Sequence, residues 1–254
     1  MQTENNLILI TGGGSGIGRG LAEAFQALGN QVIIAGRRKQ VLDDTTRANP
    51  GMVSYVVDLQ NSVGIRAFAT TIAKDFPALN VLINNAGIMR AENLLAQQDD
   101  LVDMEAMVAT NLLGPIRLTA ALLPLLRKQP RSVIMNVTSG LAFVPLALTP
   151  AYCATKAALH AYTQSLRYQL KGTATEVLEL VPPYVATELM NGGADPRAMP
   201  LGAFIAEVMA LLKTGPNTVE ICVENVKRLR FAAETGKYEN IFQGLNKAMA
   251  QPPK

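Results

Sequence analysis

Seven short runs of aliphatic and β-branched residues punctuate the chain, and stretches of helical spacing fill most of the intervals between them. The runs cover residues 7–11, 32–35, 53–57, 81–83, 133–137, 177–181 and 219–223. Most are apolar at consecutive positions, not alternate ones, so the strands predicted there need cover on both faces. After the first run, Ile17, Leu21, Ala24, Phe25 and Leu28 recur at helical spacing, and Gly29 stands where such a helix would stop. Strand–helix alternation of this kind joins parallel strands through right-handed crossovers. It predicts an α/β fold, a doubly wound seven-stranded parallel sheet with helices on both faces and ligands at the carboxyl ends of the strands. No repeat or linker divides the chain. One domain over residues 1–254 is expected, with 188–201 as an insertion beside the substrate.

Composition narrows the function classes. At 254 residues, 49% hydrophobic and 17% charged, the chain carries enough apolar material for a large core and too little charge for disorder. The net charge is +3, and the densest basic cluster, Lys227-Arg228-Leu229-Arg230, reads as a solvated helix face; no nucleic-acid partner is expected. The apolar stretch 112–126 is interrupted by Gly114, Pro115, Arg117 and Pro124, which argues against a membrane span. Glu4-Asn5-Asn6 ahead of a four-residue apolar run does not resemble a secretory signal, so the expectation is a cytoplasmic protein. Cys153 and Cys222 have neither metal-ligand nor redox spacing, and no metal is expected.

The first run leads straight into Thr11-Gly12-Gly13-Gly14-Ser15-Gly16-Ile17-Gly18. Glycines there let the backbone turn tightly and approach a pyrophosphate, while a helix N-terminus offers unpaired N–H groups. An ordinary strand-to-helix turn is the plainer reading of such a loop, but its place before an amphipathic helix favours nucleotide binding. Gly12, Gly14, Ser15, Gly16, Ile17 and Gly18 are the candidate contacts. Where a ribose-binding acid would end the second strand the chain has Gly36, followed by Arg37 and Arg38, a pattern suited to a 2′-phosphate and so to NADP(H) over NAD(H). Asp58 and Leu59 close the third strand, where a carboxylate can accept from an adenine amino group. Asn84, Asn85, Ala86 and Gly87 follow the fourth, where asparagines can tie strand ends together and Gly87 can leave room for a ribose.

Ser139 ends the fifth run, and Tyr152 and Lys156 follow it, four residues apart and on one helix face. A hydroxyl, a phenol and an amine can share one carbonyl oxygen. These residues together resemble the short-chain dehydrogenase/reductase family in its single-domain, Rossmann-like form, from residue 7 to about 189. The resemblance rests on Thr11-Gly12 with Gly16 and Gly18, Asp58, Asn84 to Gly87, Asn111, Ser139, Tyr152 and Lys156. It implies that Tyr152 is the acid/base, that Ser139 orients the substrate oxygen, and that Lys156 binds the nicotinamide ribose and lowers the phenol pKa. Asn111 would help to hold a proton-relay water.

One departure stands out: the family's usual Pro-Gly after the sixth strand is here Pro182-Pro183-Tyr184. Pro182, the Val185 backbone and the Thr187 hydroxyl are still expected at the nicotinamide, with Pro183 and Tyr184 narrowing the substrate pocket. The Pro-Pro variant resembles a subgroup named for teichoic-acid D-alanine esterification, a name that describes operon context and not a reaction. Phe143, Leu146, Tyr184, Met190 and Met199 fit either a pocket or the core; Phe143, Tyr184 and Met190 are the pocket candidates. His160, the only histidine, suits a helix-face position with a local hydrogen bond. In the family, the helices corresponding to those around 104–127 and 152–171 form a dimer interface, so a homodimer or homotetramer is expected. The reaction implied is NADPH-dependent reduction of an apolar ketone or aldehyde, or the reverse alcohol oxidation. The rival is a catalytically silent NADP(H) sensor.

Overall fold

The computed structural model describes residues 1–96, 100–190, 195–215 and 218–250. In chain order the elements are β1 (Leu7–Thr11), α1 (Gly16–Ala27), β2 (Gln31–Gly36), α2 (Lys39–Ala48), β3 (Val53–Val56), α3 (Ser62–Asp75) and β4 (Val81–Asn84). Then come α4 (Val102–Val108), α5 (Gly114–Leu126), β5 (Ser132–Val137), α6 (Pro150–Gln169), β6 (Thr175–Val181), α7 (Leu201–Thr214), β7 (Glu220–Cys222), α8 (Glu224–Arg230) and α9 (Tyr238–Met249). All seven strands are parallel, in the order β3-β2-β1-β4-β5-β6-β7. Each of the seven predicted runs forms one of these strands.

Strand order reverses between β1 and β4, which pair through Ile8–Val81, Leu9–Leu82 and Ile10–Ile83. The crossovers leave β1 towards one edge and β4 towards the other, so a crevice opens above the carboxyl ends of these two strands. Alternation along each strand divides the core into two layers. Ile8, Ile10, Val32 and Ile34 pack under Leu21 and Phe25 of α1 and Phe204 and Val208 of α7. Leu9, Ile33, Leu82 and Ile134 pack under Ile65, Phe68 and Ile72 of α3 and Leu118, Leu122 and Leu126 of α5. Each fully buried aliphatic or aromatic side chain contributes about 1.5–3 kcal/mol, and the two layers together fix the sheet in place.

The stretch expected to be helical around 104–127 is helical from Val102 to Leu126, but not uniformly α. A π turn spans Ala109–Leu113, between α4 and α5. Pro115 is one cause, because it has no N–H to offer the carbonyl of Asn111 four residues earlier. By length and composition, Val102–Leu126 is the one described helical run apolar enough to cross a membrane. Leu118, Leu122 and Leu126 are instead fully buried against α3 and the sheet.

Candidate active site

Backbone forms the first wall of the crevice. Gly12 adopts φ +67°, and a Cβ there would lie 2.9 Å from the Ala86 Cα. A Cβ on Gly18 would come within 2.3 Å of the Gly12 carbonyl oxygen, so only glycine lets α1 start directly against the loop. The side chain of Asn85 donates to the Thr11 carbonyl at 2.9 Å, and Thr11 Oγ1 accepts from the N–H groups of Asn85 and Ala86 at 3.0 and 3.1 Å. These bonds fasten the end of β4 to the end of β1. Ser15, at the N-cap of α1, makes no side-chain cap; its hydroxyl accepts from Arg38 Nη2 at 2.8 Å. The first N–H groups of α1 are thereby left for an anion.

Arg37 and Arg38 both line the cavity. Arg38 is engaged, bonding Ser15 and lying 3.5 Å from Glu188 across the crevice. Arg37 has no side-chain partner among the described residues. At Gly36 a Cβ would meet only Leu42 Cδ2, at 3.7 Å, so its lack of a side chain is not a packing requirement.

The cavity above the strand ends has a volume of about 470 Å³, within the size range of small-molecule sites. Gly12, Gly14, Ser15, Gly16 and Ile17 line one end, and Asn85, Ala86, Gly87, Ser139, Tyr152 and Lys156 line it further along, with Leu59. Pro182, Pro183, Tyr184, Val185 and Thr187 also line it. Four of the expected residues do not line it. Gly18 is packed beneath the loop. Asp58 is exposed, and its carboxylate accepts from the N–H of Gln60 at 3.0 Å. Asn111 is fully buried behind the wall.

Phe143 is corrected from pocket to support. The 3-10 turn Gly140–Ala142 carries it between the His160 ring, at 4.7 Å, and the Arg230 guanidinium, at 4.6 Å. Met190 gives its backbone to the turn Glu188–Met190, but its side chain lies outside the described residues, as does segment 191–194 of the expected insertion.

Two elements deliver the polar trio. Ser139 follows β5 and caps the 3-10 turn, accepting from the N–H of Leu141 at 3.1 Å. Pro150 starts α6, and Glu92, from the β4–α4 connection, accepts from the Ala151 N–H at 2.9 Å. One turn further in, Tyr152 and Lys156 project from the same face, with Lys156 Nζ 5.6 Å from the Tyr152 ring centre and donating to the Val137 carbonyl at 2.8 Å. A Cβ on Gly87 would stand 3.4 Å from Asn111 Oδ1 and 3.7 Å from Lys156 Nζ, which places this glycine between the two polar groups. Both arms of the Asn111 side chain bond Ile88, accepting from its N–H and donating to its carbonyl, each at 2.8 Å.

Electrostatics differ from the sequence expectation. Burial pushes the Tyr152 phenol above its ordinary value, and the hydrogen bond from Ser139 opposes that shift only in part. The phenol is therefore held neutral, as a proton donor and not as phenolate. Burial also lowers Lys156 to about 8, which leaves it an ammonium at neutral pH. Beside the trio, Thr138 donates to the buried Glu179 at 2.7 Å, and His160 Nδ1 meets the same carboxylate at 2.8 Å. His160, Glu179 and Glu220 bring their ligand-type atoms within 4.8 Å of one another. A cation already serves this cluster, for Arg230 pairs with Glu220 at 2.7 Å. Cys153 is spent on packing, with its Sγ accepting from the Leu146 N–H at 3.3 Å and burial raising its thiol pKa.

The remaining wall has no counterpart in the sequence reading. Met89, Arg90, Leu141, Leu229, Leu245 and Met249 all line the cavity. They come from four separate segments, and no spacing links one segment to another.

Comparison with known proteins places this geometry. A family model described as short chain dehydrogenase matches residues 6–197. The uncharacterised oxidoreductase DltE of Bacillus subtilis is 38% identical over 251 residues, covering 97% of this chain and 98% of its own. Sulfoacetaldehyde reductase 2 of Chromohalobacter salexigens is 31% identical over 200 residues, 76% of this chain and 79% of that protein. Among solved structures, a short-chain dehydrogenase from Burkholderia cenocepacia in complex with NADP superposes with a TM-score of 0.81 at 26% identity, covering 96% of this chain and 99% of the other.

Proposed function

The chain belongs to the short-chain dehydrogenase family and is an NAD(P)-dependent oxidoreductase of CH–OH or C=O groups; within that class we propose that it is an NADPH-dependent reductase of apolar ketones or aldehydes. The observation that carries the proton-donor role is geometric: Tyr152 is buried in the cavity wall beside Ser139 and Lys156, and burial favours its neutral form. A carbonyl oxygen gaining charge needs a donor at hand, and a protonated phenol in a dry wall is one. Ser139 holds the oxygen by hydrogen bonding, Tyr152 gives it the proton, and Lys156 keeps a positive charge beside the phenol as it turns to phenolate. Asn111, fixed by its two bonds to Ile88, positions the relay that returns a proton towards Lys156.

The dinucleotide fits the residues present. The glycine cradle excludes even a methyl group at Gly12 and Gly18, and Gly12, Gly14, Ser15, Gly16 and Ile17 would hold the pyrophosphate. Arg37, with Arg38 in support, would hold the 2′-phosphate. Leu59, Asn85, Ala86 and Gly87 would flank the adenosine, with Asp58 close by at the rim, while Pro182, Val185 and Thr187 would face the nicotinamide. When bound, the cofactor supplies the hydride. The same reading takes residues 1–254 as one cytoplasmic domain with 188–201 as its substrate-loop insertion, acting as a homodimer or homotetramer. The sulfoacetaldehyde reductase among its relatives is a precedent for carbonyl reduction, not for this chain's substrate. No observation favours the silent sensor.

The test is loss of NADPH absorbance with a panel of alkyl and aryl ketones, repeated with Tyr152→Phe. Reduction should fall by about 10²–10⁴-fold with cofactor affinity retained. Turnover surviving the substitution would discard the assigned donor.

A further inference from the structure

α9 closes part of the cavity while scarcely belonging to the core. Ile241 is its one buried side chain, and it packs with Val144 and Ala232 in a small cluster apart from the two large layers. Leu245 and Met249 nevertheless line the cavity, together with Leu229 of α8. Polar bonds to two separate segments of the wall hold the helix there. Asn246 donates to the Pro145 carbonyl at 3.2 Å and accepts from the Ala147 N–H at 2.6 Å, straddling the lining residue Leu146. Arg197 donates to the Ala248 carbonyl at 2.7 Å near the end of α9. Asp195 grips that arginine at 2.6 and 2.9 Å and accepts from the hydroxyl of Tyr184, another lining residue, at 3.2 Å. Hydrogen bonding from Arg197 holds the Asp195 carboxyl down at about 2, so the clamp is ionised at any working pH. The matched family region stops at residue 197, so α9 lies wholly beyond it.

We propose that α9 sets the length of substrate this enzyme accepts, with Leu245 and Met249 meeting the end of an apolar chain remote from the carbonyl. Asn246 and the Tyr184–Asp195–Arg197 chain are positioning residues that seat the helix. The inference rests on the reductase reading, and its chemistry is that of the surfaces beside α9: Leu141, Leu146, Leu229, Leu245 and Met249 offer hydrocarbon, which selects by size.

The experiment uses straight-chain methyl ketones of increasing length with NADPH, and the dissociation constants of the same ketones for the NADP⁺ complex. Leu245→Ala and Met249→Ala should move the optimum to longer chains, with kcat/KM rising about fourfold for each extra methylene admitted. Asn246→Ala and Arg197→Ala should flatten the length preference through KM, and amide exchange across 238–250 should quicken about tenfold. Asn246→Asp, which keeps the acceptor for Ala147, should restore part of both. A wild-type protein that binds ketones but turns none over defeats the reductase reading alone, because the dissociation constants still report on α9. Ketones that do not bind, or whose length dependence survives Leu245→Ala and Met249→Ala, overturn the assignment of α9.

Discussion

Where the chain forms the loop from Gly12 to Gly18, the cavity wall is backbone; where α8 and α9 close it, the wall is side chains. A methyl group on Gly18 would sit 2.3 Å from a carbonyl oxygen, a separation no repacking absorbs, whereas Leu245 and Met249 touch the cavity with flexible ends. The first wall is anchored to two central strands through Thr11 and Asn85, and the second by two clamping side chains, Asn246 and Arg197, on a helix with one buried residue. A cofactor common to many enzymes suits a surface that cannot vary. A substrate peculiar to one enzyme suits a surface that can change without disturbing the sheet.

Substitutions at either end break or sharpen that contrast. The largest effect is expected from Arg37→Asp, which replaces a guanidinium without a described partner by a repelling carboxylate. The NADPH-to-NADH ratio of kcat/KM should fall about 100-fold, given ~1.5–3 kcal/mol for a charged hydrogen bond; an unchanged ratio would mean that the phosphate is read elsewhere. Gly18→Ala comes next. Overpacking costs about 1–3 kcal/mol, so the midpoint of thermal unfolding and NADPH affinity should drop together, while Met249→Ala leaves NADPH affinity alone. If both substitutions weaken NADPH equally, the two walls are not separate.

The smallest effect lies between the walls, at Lys156. Its pKa falls from 10.5 unfolded to about 8 folded, so between these values the unfolded chain binds more protons and stability rises with pH. Below about 8 the buried ammonium costs ~3 kcal/mol. Lys156→Met removes that cost but orphans the Val137 carbonyl, at about 1–3 kcal/mol. The variant should be more stable than the parent at pH 7 by on the order of 1 kcal/mol, with the advantage fading as the pH climbs from 8 towards 10.5. Equal stability at pH 7, or an advantage that grows with pH, would contradict the burial account.

The same contrast explains what could be read from the sequence. Strands announced themselves because both of their faces are buried, as at Ile8, Leu9 and Ile10. Gly12, Gly16, Gly18 and the Tyr152–Lys156 pair were visible because local backbone geometry demands fixed spacings. Leu229, Leu245 and Met249 were invisible, for nothing local distinguishes a leucine facing a cavity from one facing a core. Phe143 went astray for the converse reason: its partners, His160 and Arg230, are separated from it by 17 and 87 residues along the chain. Nor could the spacing of Tyr152 and Lys156 disclose the proton balance, since the phenol's neutrality follows from burial that tertiary packing alone creates.

The π turn at Ala109–Leu113 acts as a phase shifter. It holds one more residue than a regular turn would, so α4 and α5 run on nearly as one rod while their apolar stripes point in different directions. Met107 serves the small cluster around Tyr152, while Leu118 and Leu122 serve the sheet. Removing a single residue from the turn would make the rod smoother by hydrogen-bond count. It would also rotate one stripe about 100° relative to the other, so the rod could follow the reaction chamber or the sheet but no longer both.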